Sequence, residues 1–373
     1  MSGRSIRCRI SPLLHLGRRS GLTGCGAGAA MWRAALIAVV LALVGSHPAA
    51  AATVGVRDVA IPVPERHSVL HAFVWYPTGA GGIEVLVGGN AVFRGTPGLR
   101  DAPVLDGRFP LIVIAHGGFR AAPDVASWLA SALASHGFIT AVVNPPVIPG
   151  GPAKPSVPSE LWLRPADLSA AITAVEAEPK FAKRIDSRKI GGVGFLLGGY
   201  AVLALAGARI DAEAYAHTCD GSAAGLDCAW FAKGGVNLHL VDAARLGRSN
   251  RDPRLKVAIV VDPELSGALT SQSLGEIPIP VRIVNLGSPE AIPSALDASK
   301  LASEIPSARY LVIPDAMPFS SFAECTLKGP AILKSEGGEV QLCDDGRGLS
   351  RAAIHAQVAS MVVNILRRAF SPH

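Results

Sequence analysis

Short, continuous apolar runs recur along the chain from Phe73 onward, and the stretches between them carry helical spacing. The runs Phe73-Val-Trp-Tyr76, Leu111-Ile-Val-Ile-Ala115, Ile139-Thr-Ala-Val-Val143, Ile190-Gly-Gly-Val-Gly194, Val257-Ala-Ile-Val-Val261, Val281-Arg-Ile-Val-Asn285 and Tyr310-Leu-Val-Ile313 predict strands. Uninterrupted apolar character, rather than alternation, is what strands show when both faces of a mostly parallel sheet are covered. Helices are expected over Asp124–His136, Pro165–Glu178, Gly198–Ala208, Ser294–Glu304 and Ser350–Ala369, with Pro165 in a first turn and Ser350 as a cap. Strand and helix alternating this often predict an α/β, doubly wound domain. Residues 209–250 break the alternation and read as a small cap insertion, so a single domain over 52–373 is expected. Pro145-Pro-Val-Ile-Pro-Gly-Gly-Pro-Ala-Lys-Pro-Ser-Val-Pro158 is a loop beyond a strand's carboxyl end, where ligands bind in such sheets.

Residues 1–51 have a different character. Met31-Trp32-Arg33 precedes the apolar run Ala34–Val44, then Ser46, Pro48 and an alanine-rich A-x-A site, which together spell a secretory signal peptide. The run falls short of the ~20 residues of a transmembrane span. Residues 1–30 read as an upstream extension, leaving Met1 and Met31 as alternative starts. The expectation is an exported, periplasmic or secreted protein with no stable membrane span after cleavage. Charge supports this partition. Six of the 35 basic residues and none of the 29 acidic ones fall in 1–51, so the remainder is formally neutral despite the overall +6. A neutral body lacks the basic face a phosphate backbone requires, so nucleic acid is set aside as a partner.

Outside the leader four cysteines remain, Cys219, Cys228, Cys325 and Cys343, an even number that suits an oxidising compartment. Three pairings are open; 219–228 with 325–343 is the simplest, because each pair brackets a polar loop containing glycine. No C-x-x-C spacing points to a metal, and His217 beside Cys219 is the one histidine close to a cysteine. A metal site from His217, His239 and an acidic neighbour ranks below a structural role for these histidines, so no metal site and no cofactor are expected, and no nucleotide, flavin or phosphate loop is visible.

Lys189-Ile-Gly-Gly-Val-Gly-Phe-Leu-Leu-Gly-Gly-Tyr200 is a strand, a glycine-rich corner and a helix start. In this context a G-x-S-x-G elbow presents a nucleophilic hydroxyl on a strained turn. Here the five residues are Gly194-Phe195-Leu196-Leu197-Gly198, and leucine fills the nucleophile slot.

With Val74-Trp-Tyr-Pro-Thr78, Phe109-Pro-Leu-Ile-Val-Ile-Ala-His-Gly117 and Trp162-Leu-Arg-Pro-Ala-Asp-Leu168, this corner resembles the dienelactone hydrolase-like α/β-hydrolases, secreted proteins related to platelet-activating-factor acetylhydrolases. The likeness continues through Asp262-Pro263, Cys325, Cys343 and Arg351-Ala-Ala-Ile-His355, and spans about Val54 to Phe370. It implies the α/β-hydrolase fold and descent from carboxylic-ester hydrolases. It also implies a serine at Leu196, an acid near Gly287-Ser-Pro-Glu290, and a histidine at Pro318 in Ala316-Met-Pro-Phe-Ser-Ser-Phe322. Glu290 alone keeps its role, as the candidate acid. Leucine has no lone pair to attack a carbonyl, and proline has no titratable group to move a proton. An oxyanion hole is expected from Gly117, Gly118 and the backbone N–H of Leu197.

Two function classes follow. The first is a pseudohydrolase that binds a small ester or carboxylate without cleaving it. The alternative is an active carboxylic-ester hydrolase with a non-standard constellation, for which Ser320, Ser321, Asp262, His116, His217 and His239 are available. Each of these also reads as structural: turn serines, a strand-end carboxylate, loop imidazoles bonded to backbone. Arg164, Asp167, Arg351 and His355 read as anchoring residues, Trp128 and Trp162 as packing. Leu196 has two readings, a plug on a retained elbow or a core residue on a relaxed one.

Overall fold

The computed structural model describes residues 54–117, 124–144, 160–220, 228–233, 236–336, 338–346 and 348–371. Residues 1–53 (the expected signal peptide among them), Gly118 and the proline-rich loop 145–158 lie outside them. The strands are β1 (Val54–Val63), β2 (Ser68–Pro77), β3 (Ile83–Val87), β4 (Thr96–Arg100), β5 (Phe109–Ala115), β6 (Ile139–Val143), β7 (Ile185–Phe195), β8 (Leu255–Val261), β9 (Val281–Leu286) and β10 (Ala308–Ile313). They form one sheet in the order β10-β9-β8-β7-β5-β6-β2-β1-β4-β3. From β10 to β6 every pairing is parallel, and β2 joins that block antiparallel, through β6.

Four longer helices cover the sheet: α1 (Ser127–Ser135), α2 (Leu163–Ala177), α3 (Leu197–Ala206) and α4 (Arg351–Phe370). The apolar runs divide between two cores in the way their lack of alternation implies. Leu111, Val113 and Ala115 of β5 join Leu168, Ile172 and Val175 of α2 and Val202 and Leu205 of α3. Ile112 and Ile114 point to the other face, against Leu129 and Leu133 of α1 and Val358, Val362 and Leu366 of α4. Each of these valine, leucine and isoleucine side chains, fully withdrawn from water, stabilises the fold by roughly 1.5–3 kcal/mol. Ser350 caps α4 as expected, its hydroxyl accepting from the Ala353 N–H.

All seven expected strands are present. β1, β3 and β4 were not anticipated: β3 leaves Ile83 and Leu86 exposed, and β4 carries Pro97 and Gly98. The helix expected over 294–304 shrinks to Leu301–Glu304. Asn285 explains the difference. Its amide donates to Leu296 O at 2.7 Å and accepts from Ala298 N at 3.1 Å, taking backbone groups that a helix there would pair within itself.

Residues 209–250 hold only short helical pieces among the described residues, at Ala212–Ala216, Cys228–Lys233 and Ala243–Leu246. Tyr215, Phe231, Leu238 and Leu246 belong to the same core as α2 and α3. The disulfides are Cys219–Cys228 and Cys325–Cys343, with Cα atoms 5.4 and 5.7 Å apart. No helix among the described residues is long and apolar enough to cross a membrane.

Candidate active site

The sheet's central strand β7 ends in the corner that should carry a nucleophile. Leu196 sits at φ 53° and ψ −125°, a conformation costing an ordinary side chain about 1–3 kcal/mol. Its N–H donates to Val261 O at 3.0 Å, and its own carbonyl accepts from Gly199 N at 2.8 Å and Glu264 N at 3.2 Å. The glycines explain how so tight a turn fits. A Cβ on Gly194 would lie 2.2 Å from Gly198 O, and one on Gly198 only 2.3 Å from Ala115 O. The elbow therefore keeps its strained shape without its nucleophile. Leu196 is buried in an apolar cluster with Phe93, Val125, Leu296, Phe322 and Ala323, which is the plug reading rather than the relaxed one.

Pro318 opens a short 3₁₀ turn, Pro318–Ser321, and is buried. Four side chains hold the backbone around it. His355 Nε2 donates to Ser320 O and Phe322 O at 3.0 Å each, and Trp128, stacked on that imidazole at 3.7 Å, donates its indole N–H to Ser321 O at 2.9 Å. Arg351 donates to Phe322 O and Ala323 O, and His116 Nε2 lies 3.2 Å from both Ser321 O and Ser321 Oγ. Protonated on Nε2, His116 would donate to that carbonyl; protonated on Nδ1, it would accept from the Ser321 hydroxyl. The Ser321 hydroxyl also donates to Pro318 O at 3.3 Å. Burial drives the His116 imidazole down to about 3 and that of His355 down to about 4. Both are neutral props for the loop, and neither is poised as a general base near neutral pH.

Glu290, the candidate acid, is exposed three residues beyond Gly287, with no hydrogen-bond partner among the described residues. A fully buried carboxylate on this edge of the sheet is Asp262, at the end of β8, with φ 45°. One oxygen accepts from Asn285 Nδ2 at 2.7 Å and Leu286 N at 2.9 Å. The other is buried without a partner among the described residues. Burial pushes this carboxyl up to about 7, against the two hydrogen bonds that favour its charged form. In the folded chain it keeps its proton until about pH 7, whereas the unfolded chain releases it near pH 4. Its stabilising contribution is thus complete below about pH 4 and is lost as pH rises through about 7. His116 and His355 act in the opposite sense: their contribution is complete above about pH 6.5 and is lost as pH falls toward 3–4. Asp262→Asn is therefore expected to gain on the parent by a few kcal/mol between about pH 4 and pH 8. Urea unfolding at several pH values measures this, and a constant difference between the two proteins would contradict the buried acid.

Gly117, expected in the oxyanion hole, follows β5 at φ 76°. Arg164 donates to the carbonyls of His116 and Gly117 at 3.3 and 3.4 Å, so the anchoring reading of Arg164 holds. Arg66 grips both oxygens of Asp167 at 2.7 and 2.8 Å beside it. Leu197, expected in the same hole, opens α3 and is buried, its N–H in the first turn where the helix supplies no acceptor. Two surface clefts do not open onto the Leu196 side chain. One of about 690 Å³ runs between β1 and α2, and one of about 300 Å³ is lined by His217, Glu264 and Ser294; neither is lined by Leu196 or Pro318. His217 and His239 are not held by backbone as expected. Both imidazoles face the Asp220 carboxylate, a residue the sequence reading did not single out.

No family model matches the chain, and no curated protein sequence does. Solved structures do match. A ferulic acid esterase from Streptomyces cinnamoneus aligns over 85% of this chain and 89% of its own, with a TM-score of 0.51 and 16% identity. A dienelactone hydrolase from Anabaena variabilis ATCC 29413 aligns over 83% and 97%, with a TM-score of 0.45 and 14% identity. With the strand order, the strained elbow after β7 and the helices on both faces, the chain has the α/β-hydrolase fold.

Proposed function

We infer that this protein is an exported member of the dienelactone hydrolase-like group that has lost ester cleavage and acts by binding a small ester or carboxylate. The observation that carries the reading is Leu196, buried on an intact elbow and packed against Phe93 and Phe322 where a serine hydroxyl would stand. Pro318 at the base position removes the second of the three groups the reaction needs. Without nucleophile and base, a carbonyl or carboxylate oxygen that reached the Gly117 and Leu197 N–H groups past the Leu196 side chain would be bound and not attacked. The ester-hydrolase ancestry rests on the motif order together with the shared fold. Export rests on the apolar run before Ala49 and on two disulfides, which persist in oxidising compartments.

The alternative, a hydrolase with a substitute nucleophile, would draw on Ser321 and His116. The burial of both side chains, and the low basicity that burial gives the His116 imidazole, argue against it. The test is hydrolysis of an activated short-chain aryl ester by the purified chain, beside a heat-denatured aliquot, with a serine-directed phosphonate read by intact mass. Neither turnover above the denatured control nor labelling is expected. Saturable turnover with stoichiometric labelling would establish the alternative and locate its nucleophile.

A further inference from the structure

His217 closes the short helix Ala212–Ala216 and begins a 3₁₀ turn that runs to Cys219. His239 lies in a second 3₁₀ turn, Leu238–Leu240, whose start is fixed by Asn237 Oδ1 accepting from the His239 N–H at 3.0 Å. The two turns meet at Asp220. His217 Nδ1 is 2.6 Å and His239 Nε2 3.6 Å from the same carboxylate oxygen, and the imidazole rings stand edge to face at 4.9 Å. One ligand atom from each residue fits within a 4.8 Å group.

We propose that His217, Asp220 and His239 form a surface site for a borderline transition-metal dication, zinc being the natural occupant. Two imidazoles and one carboxylate are a ligand set zinc accepts, with a fourth position left for water or an anion. Ligand atoms around a tetrahedral zinc stand roughly 3.3 Å apart, given bonds of about 2.0–2.2 Å. The observed 2.6 and 3.6 Å bracket that spacing, so small side-chain rotations bring the three atoms onto one ion.

The surroundings favour binding without refolding. Asp220 directly follows the Cys219–Cys228 disulfide, and the Asn237 cap fixes the other turn. All three side chains are about half exposed, so an ion reaches them from solvent and keeps an open coordination position. His217 also lines the cleft of about 300 Å³, which puts that position beside a recess containing Glu264 and Ser266. An ion here would join the turns at 217–220 and 237–240, reinforcing in the insertion what the disulfide does from one side.

The experiment is calorimetric titration of the tag-free, full-length chain with zinc chloride, alongside thermal unfolding with and without zinc. The parent is expected to bind an ion through this site and to unfold at a higher temperature in its presence. His217→Ala, His239→Ala and Asp220→Asn should each weaken that binding by more than the ~10–100-fold typical of losing a partner behind a ligand. Asp220→Asn retains an oxygen for the His217 hydrogen bond, so a purely structural triad would tolerate it and show no zinc effect. His71→Ala is the control, since His71 also contacts an exposed aspartate, Asp58 at 3.0 Å, without a third ligand. Magnesium, which prefers oxygen donors, should produce no shift. Equal zinc affinity in the parent and all three site variants, or no zinc binding by the parent, would overturn the site.

Discussion

A chain carrying both Leu196→Ser and Pro318→His is expected to hydrolyse an activated aryl ester about 10²–10⁴-fold faster than the parent, the contribution typical of positioned acid–base groups. Either substitution alone should leave the parent's rate. Where a serine triad has been dismantled, losing the serine or the histidine alone costs about as much as losing all three residues, roughly 10⁶ in turnover. The gain is expected because the scaffold for both groups persists. The elbow keeps φ 53° and ψ −125° at position 196, and Pro318 stands in a loop held from His116, Trp128, Arg351 and His355. Replacing Leu196 also removes the plug, opening space among Phe93, Val125 and Phe322 for an acyl group. That space has a stability cost of about 2–5 kcal/mol, so each variant needs an unfolding midpoint before its rate is interpreted. Adding Glu290→Gln or Asp262→Asn to the double variant separates the two candidate acids. A double variant that is folded yet no faster than Leu196→Ser alone would refute the retained scaffold.

The parts of this molecule legible in the sequence are those set by local constraint. Continuous apolar runs at 111–115 and 257–261 announced buried parallel strands, and the glycines around 194–199 announced the elbow, because a Cβ at Gly194 or Gly198 would lie 2.2–2.3 Å from a backbone oxygen. Of the three cysteine pairings the sequence leaves open, the simplest forms, with partners 9 and 18 positions apart. What the sequence withheld depends on partners distant along the chain. Whether Leu196 plugs or relaxes is decided by Phe93, Leu296 and Phe322, which converge on it from three separate loops. Ser294–Lys300 has helical spacing, but the Asn285 side chain takes its backbone groups. Asp220 became a candidate ligand only when folding brought His239 to it. Glu290 was singled out for its place in a motif, yet burial, which tunes an acid, falls on Asp262.

Arg351→Met is expected to destabilise the protein by roughly 3–5 kcal/mol, the range for breaking a buried ion pair from one side. The guanidinium is almost wholly buried at the start of α4. It donates to the Asp345 carboxylate and to three carbonyls: Phe322 at 3.1 Å, Ala323 at 3.3 Å and Leu342 at 3.0 Å. Methionine occupies similar volume with no donors, so those carbonyls and the Asp345 charge lose their partner together, a cost packing does not repay. Phe322 and Ala323 belong to the cluster that seals Leu196, and Leu342 adjoins the Cys325–Cys343 disulfide, so one side chain ties the plug, the Pro318 loop and the crosslink to the last helix. A double-mutant cycle with Asp345→Asn divides the effect. If the ion pair dominates, Asp345→Asn costs little once Arg351 is methionine; if the carbonyl bonds dominate, the two losses add. Chemical denaturation of the four proteins supplies the numbers. A loss below about 0.5 kcal/mol for Arg351→Met, the range of an ordinary surface substitution, would mean that His355 and Trp128 hold the loop unaided.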